Sequence, residues 1–322
     1  MNYTEHAINV LATRTYKGIG RAWIVRNLSH QKDQNEIVDL LNREPRLKNP
    51  VTLDDFQKRK NFLQRRINES KEYIDGVVAI GDDNFPSHRG EVINSEKPVF
   101  LFYRGNLSLL DKKNNNVAVI GLLNPDSEIE SIEKEIVASL VKYGATILSG
   151  LALGCDTIAH IQALESKGST IAVLPSPLAS VVPAKNKELS DKITDSGGLV
   201  VAEYLTNPKS KRELVGRYQE RDRLQALFSN VVLLSASYSK NDQGNDSGSR
   251  LAMNYASKYS IKRAVIYAPE IHSGHPKYAL NRQILEEDPR AFQVNYSNIV
   301  SVVKELVLGC VAATTNSAKN DT

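Results

Sequence analysis

The stretch VAVIGLLNPDSEIESIEKEIVASLVKYGATILSGLALGCDTIAHIQALESKGSTIAVL, residues 117–174, decides the fold. It holds three short apolar runs, at 117–121, 145–150 and 170–174, and two stretches between them, 128–143 and 155–167, with apolar residues at helical spacing. Strand, crossover helix and strand repeated in this way predict parallel pairing, because parallel strands need a long crossover. The runs are apolar throughout rather than alternating, as expected of strands covered on both faces. Outward from this core the pattern continues in LVVAEY (199–204), NVVLLSA (230–236) and RAVIYAP (263–269), with helices at 185–195, 219–229 and 248–259. Upstream, GVVAIG (76–81) and PVFLFY (98–103) add two more strands. The reading is an α/β fold, a doubly wound, mostly parallel sheet, over residues 76–308. Residues 1–75 read as a small helical domain broken at Gly18, Gly20 and between Pro45 and Pro50, and 309–322 as a flexible polar tail.

The chain has 322 residues, 41% hydrophobic and 24% charged, which fits a globular protein and excludes disordered and collagen-like classes. No apolar window reaches membrane-spanning length and the N-terminus lacks a signal-peptide pattern, so a cytoplasmic protein away from the membrane is expected. Two cysteines, Cys155 and Cys310, are too few for a disulfide framework or a thiolate metal cluster. The net charge of +4 is concentrated: residues 1–75 carry 14 Lys and Arg against 10 Asp and Glu, while the rest balances. Lys58, Arg59, Lys60, Arg65 and Arg66 on one predicted helix form either a solvated face or an auxiliary phosphate-tracking surface.

In a doubly wound sheet, ligands sit beyond the carboxyl ends of the strands. The turns there are Gly121 to Asn124 and Ser149-Gly150 to Gly154, the latter leading into Asp156 and His160. Both feed helix N-termini, which favour phosphate, although glycines at such turns also serve tight packing. Neither turn is a GxGxxG or P-loop sequence. Further candidates are Arg217, Arg221 and Arg223 just before a helix, with a local ion-pair network as the other reading, and Asn281-Arg282. Ser247-Gly248-Ser249 offers hydroxyls and N–H groups at a helix start, or a simple serine cap. His272 and His275 read as loop-surface residues, and hydrolytic constellations are missing, so neither a catalytic residue nor a metal nor a cofactor is expected.

These segments, in their order, resemble the DNA-processing protein A (DprA, or Smf) family. GDDNFP (81–86) is similar to the family's GDxxYP, KPVFLFYRGN (97–106) to PPVLFxRGN, VAVIGLLNP to VAIVGSRxP and SGLALGCDTIAH (149–160) to SGLARGIDxxAH. The stretch from Pro183 through Lys185 and Asn186, and the positions Glu203, Arg221 to Arg223, Ser247 to Ser249 and Asn281-Arg282, follow in register over residues 77–295. The resemblance implies an extended Rossmann-like domain that binds single-stranded DNA without catalysis, a homodimer, and delivery of the strand to a RecA-type recombinase in transformation or recombination. Lys17-Gly-Ile-Gly20 is similar to the turn of the family's N-terminal sterile-alpha-motif or helix-hairpin-helix-like module. Several positions depart from the pattern: Leu122-Leu123 replaces Ser-Arg, Leu153 replaces arginine, and Gln219, Glu220 and Asp222 stand in the PRRNR-like stretch. Each lost arginine removes a bidentate phosphate partner. Lys185, Lys187, Arg217, Arg221, Arg223 and Arg282 are then expected to supply a reduced basic rim. A sensor of a nucleotide or nucleotide-derived signal, as in phage defence or a mobile element, and a phosphoribohydrolase-like enzyme remain as alternatives on the same fold.

Overall fold

The computed structural model describes residues 2–240 and 248–317, with the side chains beyond Gly309 left undescribed. Four helices open the chain: α1 (Glu5–Arg14), α2 (Arg21–Asn27), α3 (Gln34–Asn42) and α4 (Leu53–Glu69). Two strands follow, β1 (Gly76–Ala79) and β2 (Phe100–Gly105). Alternation then begins with β3 (Asn116–Ile120), α5 (Ser127–Lys142), β4 (Thr146–Ser149), α6 (Cys155–Glu165), β5 (Thr170–Leu174), α7 (Lys187–Asp195) and β6 (Leu199–Ala202). The second half runs α8 (Lys211–Leu227), β7 (Val231–Leu234), α9 (Gly248–Lys258), β8 (Lys262–Ile266), α10 (Pro269–His272), α11 (Ala279–Glu287), β9 (Phe292–Val294) and α12 (Ile299–Ser317).

The sheet order is β1-β2-β6-β5-β4-β3-β7-β8-β9. From β6 to β9 every neighbouring pair is parallel, while β1–β2 and β2–β6 are antiparallel. The doubly wound, mostly parallel architecture predicted from the alternating pattern is therefore present. After β3 the chain winds toward β6, then returns to place β7 on the other side of β3, so β3 and β7 flank the point where strand order reverses. Side chains along β3 alternate between layers: Ala118 and Ile120 pack with Leu224, Leu227, Ala252 and Met253 of α8 and α9. Val117 and Val119 pack on the opposite face with Ile132, Ile136 and Val303 of α5 and α12.

The helical module does not stand apart from the sheet. Its own core gathers Val10, Trp23, Ile24, Leu41 and Phe56 with Ala79 and Val99, while Ile8 and Leu11 of α1 pack against Val77, Phe102 and Val200. Asn2 bridges Gly76, and the Thr4 hydroxyl donates to Asp82 at 2.6 Å. Asp82 of the GDDNFP segment thus pins the first helix to the sheet, with its other oxygen accepting from the Ala79 N–H. At the far end, α12 continues to Ser317, so the backbone of 309–317 is helical where a flexible tail is expected. Ala312 and Ala313 favour this extension despite the polar composition. The predicted tail residues 318–322 lie outside the described residues.

Candidate nucleic-acid interface

A cleft of about 860 Å³ opens beyond the carboxyl ends of β3 and β4, at the switch point. Gly121 to Asn124 form one wall and Ala152, Leu153 and Asp156 another; Val215, Tyr218, Gln219, Arg221, Asp222 and Gln225 of α8 form a third. Gly248, Ser249 and Leu251 at the start of α9 close the circle with Tyr238. Among the predicted residues, Gly121, Asn124, Asp156, Arg221, Gly248 and Ser249 are brought together here. Ser247 lies outside the described residues.

The loop from Ser149 to Gly154 is rigid by construction. Asp156 turns its carboxylate back to accept from Gly150 N and Ala152 N at 3.1 and 3.2 Å. The Asn186 amide donates to Leu151 O, Ala152 O and Thr157 Oγ1. A side chain at Gly150 would run into the Arg221 guanidinium, and Gly154, at φ +74°, faces the Leu122 and Leu123 carbonyls. Both glycines therefore answer to close approach. Ser149, expected at the ligand, is buried with its hydroxyl on Val119 O, because the sheet interior leaves that polar group only a backbone acceptor. His160 is likewise interior: its Nδ1 lies 2.7 Å from Thr170 Oγ1, and burial with the nearby Arg221 charge lowers its pKa to about 3. It is a neutral core histidine and leaves the candidate site.

The arginines of the RYQERDR segment lie inside α8, not ahead of a helix. Ser210 caps it by accepting from Glu213 N, so it starts at Lys211, and the charged residues that hide its apolar period are the ones it buries. Arg217 donates to Thr206 O and Glu213 and lies 4.2 Å over the Tyr204 ring, away from the cleft. Arg223, 1% exposed at its side chain, meets Glu203 at 2.5 Å, Glu220 at 3.1 Å and the carbonyl of Glu96. Arg21 of α2 joins this cluster through Glu203 at 3.1 Å and Glu220 at 2.9 Å, tying the helical module to the sheet. Burial disfavours the charge of Glu203, but Arg223 and Arg21 outweigh it and hold the carboxyl below its ordinary value. Arg217 and Arg223 are structural, since a buried guanidinium persists only where it is paired.

Arg221 alone of the three faces the cleft. Its Nη1 is 3.3 Å from Asp156 Oδ2 and 3.1 Å from Gln225 Oε1, and its Nε is 3.3 Å from Asp222 Oδ1. Burial works against its charge, yet Asp222 and Asp156 raise its pKa above the ordinary value. Asp222 is pushed up to about 7 by burial, with Arg221 pulling the other way. The cleft floor is therefore a compensated acid–base set, and its rim is apolar: Leu123 is 61% exposed, Leu153 38% and Val215 57%.

The expected basic rim is not assembled. Lys185 is exposed but beside the cleft, on the short turn Ala184–Asn186, and Lys187 pairs with Asp191. Asn281 is fully buried, donating to Leu234 O, Ser235 O and Ile266 O and accepting from Ser237 N, so it fastens the ends of β7 and β8. Arg282 follows it, half-buried in α11. His272 is also interior rather than on a loop surface, stacked on Tyr278 at 3.6 Å with Nδ1 accepting from Ala268 N. On α4, Lys60 is buried against Glu5, and Lys58, Arg59 and Arg66 pair with Asp54, Asp55 and Glu69. Arg59 also lies 4.0 Å over the Tyr16 ring. Only Arg65 of the predicted face is exposed with no ion pair among the described residues. Lys211 and Arg212, which no sequence motif singles out, are exposed one turn before Val215 at the cleft rim.

The sequence profile of the DNA recombination-mediator protein A family matches residues 76–301, which include every wall of this cleft. The chain belongs to that family. It is 31% identical over 181 residues to protein Smf of Synechocystis, covering 56% of this chain and 42% of that protein. To the DNA processing protein DprA of Streptococcus pneumoniae it is 41% identical over 127 residues, 39% of this chain and 43% of that one. The alignments thus span less than half the length of these relatives. Among solved structures, DNA processing protein A of S. pneumoniae superimposes with a TM-score of 0.69 at 25% identity, over 93% of this chain and 98% of that one. The Helicobacter pylori protein, solved for its single-stranded DNA binding mode, gives 0.54 at 25% identity over 70% and 98%. No helix among the described residues is long and apolar enough to cross a membrane, and none of their His, Cys, Asp and Glu side chains cluster as a metal site.

Proposed function

We propose that this chain is a cytoplasmic binding protein for single-stranded DNA that takes the strand at the switch-point cleft. In this reading it works as a homodimer and passes the strand to a RecA-type recombinase in transformation or recombination. The observation that carries the reading is the coincidence of the family match with a cleft at the ligand position of a doubly wound sheet. Tyr218, Leu153 and Val215 give such a cleft apolar and aromatic walls of the kind that unstacked bases use. The phosphates then fall to Lys185, Lys211 and Arg212 outside it. A second reading, a sensor of free nucleotides, is favoured by the Leu123 and Leu153 rim, which offers a long polyanion little charge.

Fluorescence anisotropy with an oligothymidine of about 30 nucleotides and a duplex of matched length, at two salt concentrations, tests the first reading. Binding is expected to prefer the single strand. Replacing Lys185, Lys211 and Arg212 together by alanine should flatten the salt dependence by roughly 0.7 in log–log slope for each phosphate no longer neutralised. Equal affinity for strand and duplex would refute it. A thermal shift with nucleotides but no strand binding would select the sensor, because a ligand of the folded state stabilises by mass action.

A further inference from the structure

The face of α8 in the cleft is a single stripe. Val215, Tyr218, Asp222 and Gln225 are spaced by three or four residues, so they stack along one side of the helix. The outer two, Val215 and Tyr218, are apolar or aromatic, and the inner two are polar and buried at 4% and 1% exposure. Two donor nitrogens on this floor have no hydrogen-bond acceptor among the described residues. Gln225 spends Oε1 on Arg221, which leaves its buried Nε2 without a partner, and Arg221 Nε meets Asp222 only off the hydrogen-bond direction. A buried donor left unmade is costly to the folded protein, so the Gln225 amide points to a ligand that completes it. Asp222 stands beside them with Oδ1 turned to Arg221 and Oδ2 toward Gly248 on the α9 wall.

The set therefore offers carboxylate acceptor capacity next to an amide donor, at the inner end of an apolar slot. A flat ring that fits it presents two adjacent N–H groups to the carboxylate and a carbonyl oxygen to the amide. Guanine has this edge, with its ring N–H, its amino group and its carbonyl in a row. Thymine has one N–H between two oxygens, cytosine one amino group beside two acceptors, and adenine one amino group beside a bare ring nitrogen. We propose that the cleft selects guanine, with Asp222 accepting from its N1–H and amino groups, Gln225 Nε2 donating to its O6, and Leu153, Val215 and Tyr218 holding the ring. Selectivity then comes from α8 and not from the glycine turns. For the source of the base the proposal rests on the strand-binding reading, but the same edge occurs in a free guanine nucleotide.

The experiment compares oligothymidines of about 30 nucleotides in which one central thymine is kept or replaced by guanine, cytosine, adenine or hypoxanthine, at fixed salt. A thermal-shift arm with guanosine monophosphate and thymidine monophosphate runs beside it. The guanine strand is expected to bind about tenfold more tightly than the all-thymine strand, as a good bidentate contact discriminates between bases. Hypoxanthine, which lacks the amino group, should lose most of that gain. Asp222→Asn should bring the guanine strand down toward the others, and Gln225→Met, which keeps the side-chain volume and removes the donor, should do so too. Circular dichroism checks that both variants fold. Equal affinity for all five strands overturns the selectivity, and a guanine preference untouched in both variants overturns Asp222 and Gln225 as its source; either leaves strand binding standing. Stabilisation by guanosine but not thymidine monophosphate, with no strand bound, keeps the guanine edge and overturns the strand as its source.

Discussion

Glu133 sits on α5 behind the Gly121 turn, fully buried, with only the Ser235 hydroxyl and the Cys155 thiol beside its carboxyl group and no charged partner among the described residues. Burial, chiefly, pushes its pKa from an ordinary 4.5 to about 8. The folded chain thus keeps a proton that the unfolded chain releases above pH 4.5, and stability falls as pH rises between these two values. One pH unit in that window is worth about 1.4 kcal/mol, so by pH 8 the loss from this one group is on the order of 4 kcal/mol. Glu133→Gln removes the titration while keeping the shape. Melting temperatures of wild type and variant, followed by circular dichroism from pH 5 to 8, should diverge, with the variant gaining roughly 5 °C relative to wild type across the range. The difference of the two profiles is the readout, because any fixed cost of burying the amide cancels in it. Parallel profiles would mean that Glu133 is ionised or hydrated in the folded protein, and would refute the reasoning.

Arg223→Met should destabilise the fold by about 3–5 kcal/mol in urea unfolding, because Glu203 is left buried with only Arg21 opposite it; a loss below about 1 kcal/mol would show that the cluster carries no net pairing energy. Leu123→Arg with Leu153→Arg, at exposed rim positions, should tighten oligothymidine binding and steepen its salt slope by up to about 1.4 if both side chains reach phosphates. An unchanged slope would place the strand backbone away from this rim.

Much of the sheet is legible in the chain because its signal is local. Runs such as TIAVL and LVVAEY are continuous, and the helices between β3 and β6 keep their apolar spacing through polar surroundings. α8 defeats the same method: its interior holds Arg217, Arg221, Asp222, Arg223 and Gln225, so no apolar stripe marks it, and its first two turns read as a loop. The Ser210–Glu213 cap is the one local signal that sets its true start. β9 is missed for a different reason, being three residues long at the edge of the sheet.

The candidate residues divide along the same line. Gly121 and the α9 start lie at the cleft, where their position at the ends of parallel strands puts them, since those ends converge wherever such a sheet forms. Whether a charge faces ligand or core is not a local property. Arg221 is answered by Asp156, 65 residues away, Arg223 by the Glu96 carbonyl 127 away, and Arg21 by Glu203 across 182. From sequence, a cluster of arginines beside a glycine turn has the look of a phosphate site, and neutralising it takes only partners that folding brings near. The chain alone therefore determined the doubly wound sheet and the location of its cleft, both set by short-range periodicity. Only the tertiary structure decided that most of the expected cations are paired, and that Lys60, Arg217, Arg221 and Arg223 are buried as well, because Coulomb attraction depends on distance and burial in the folded state and carries no period along the chain.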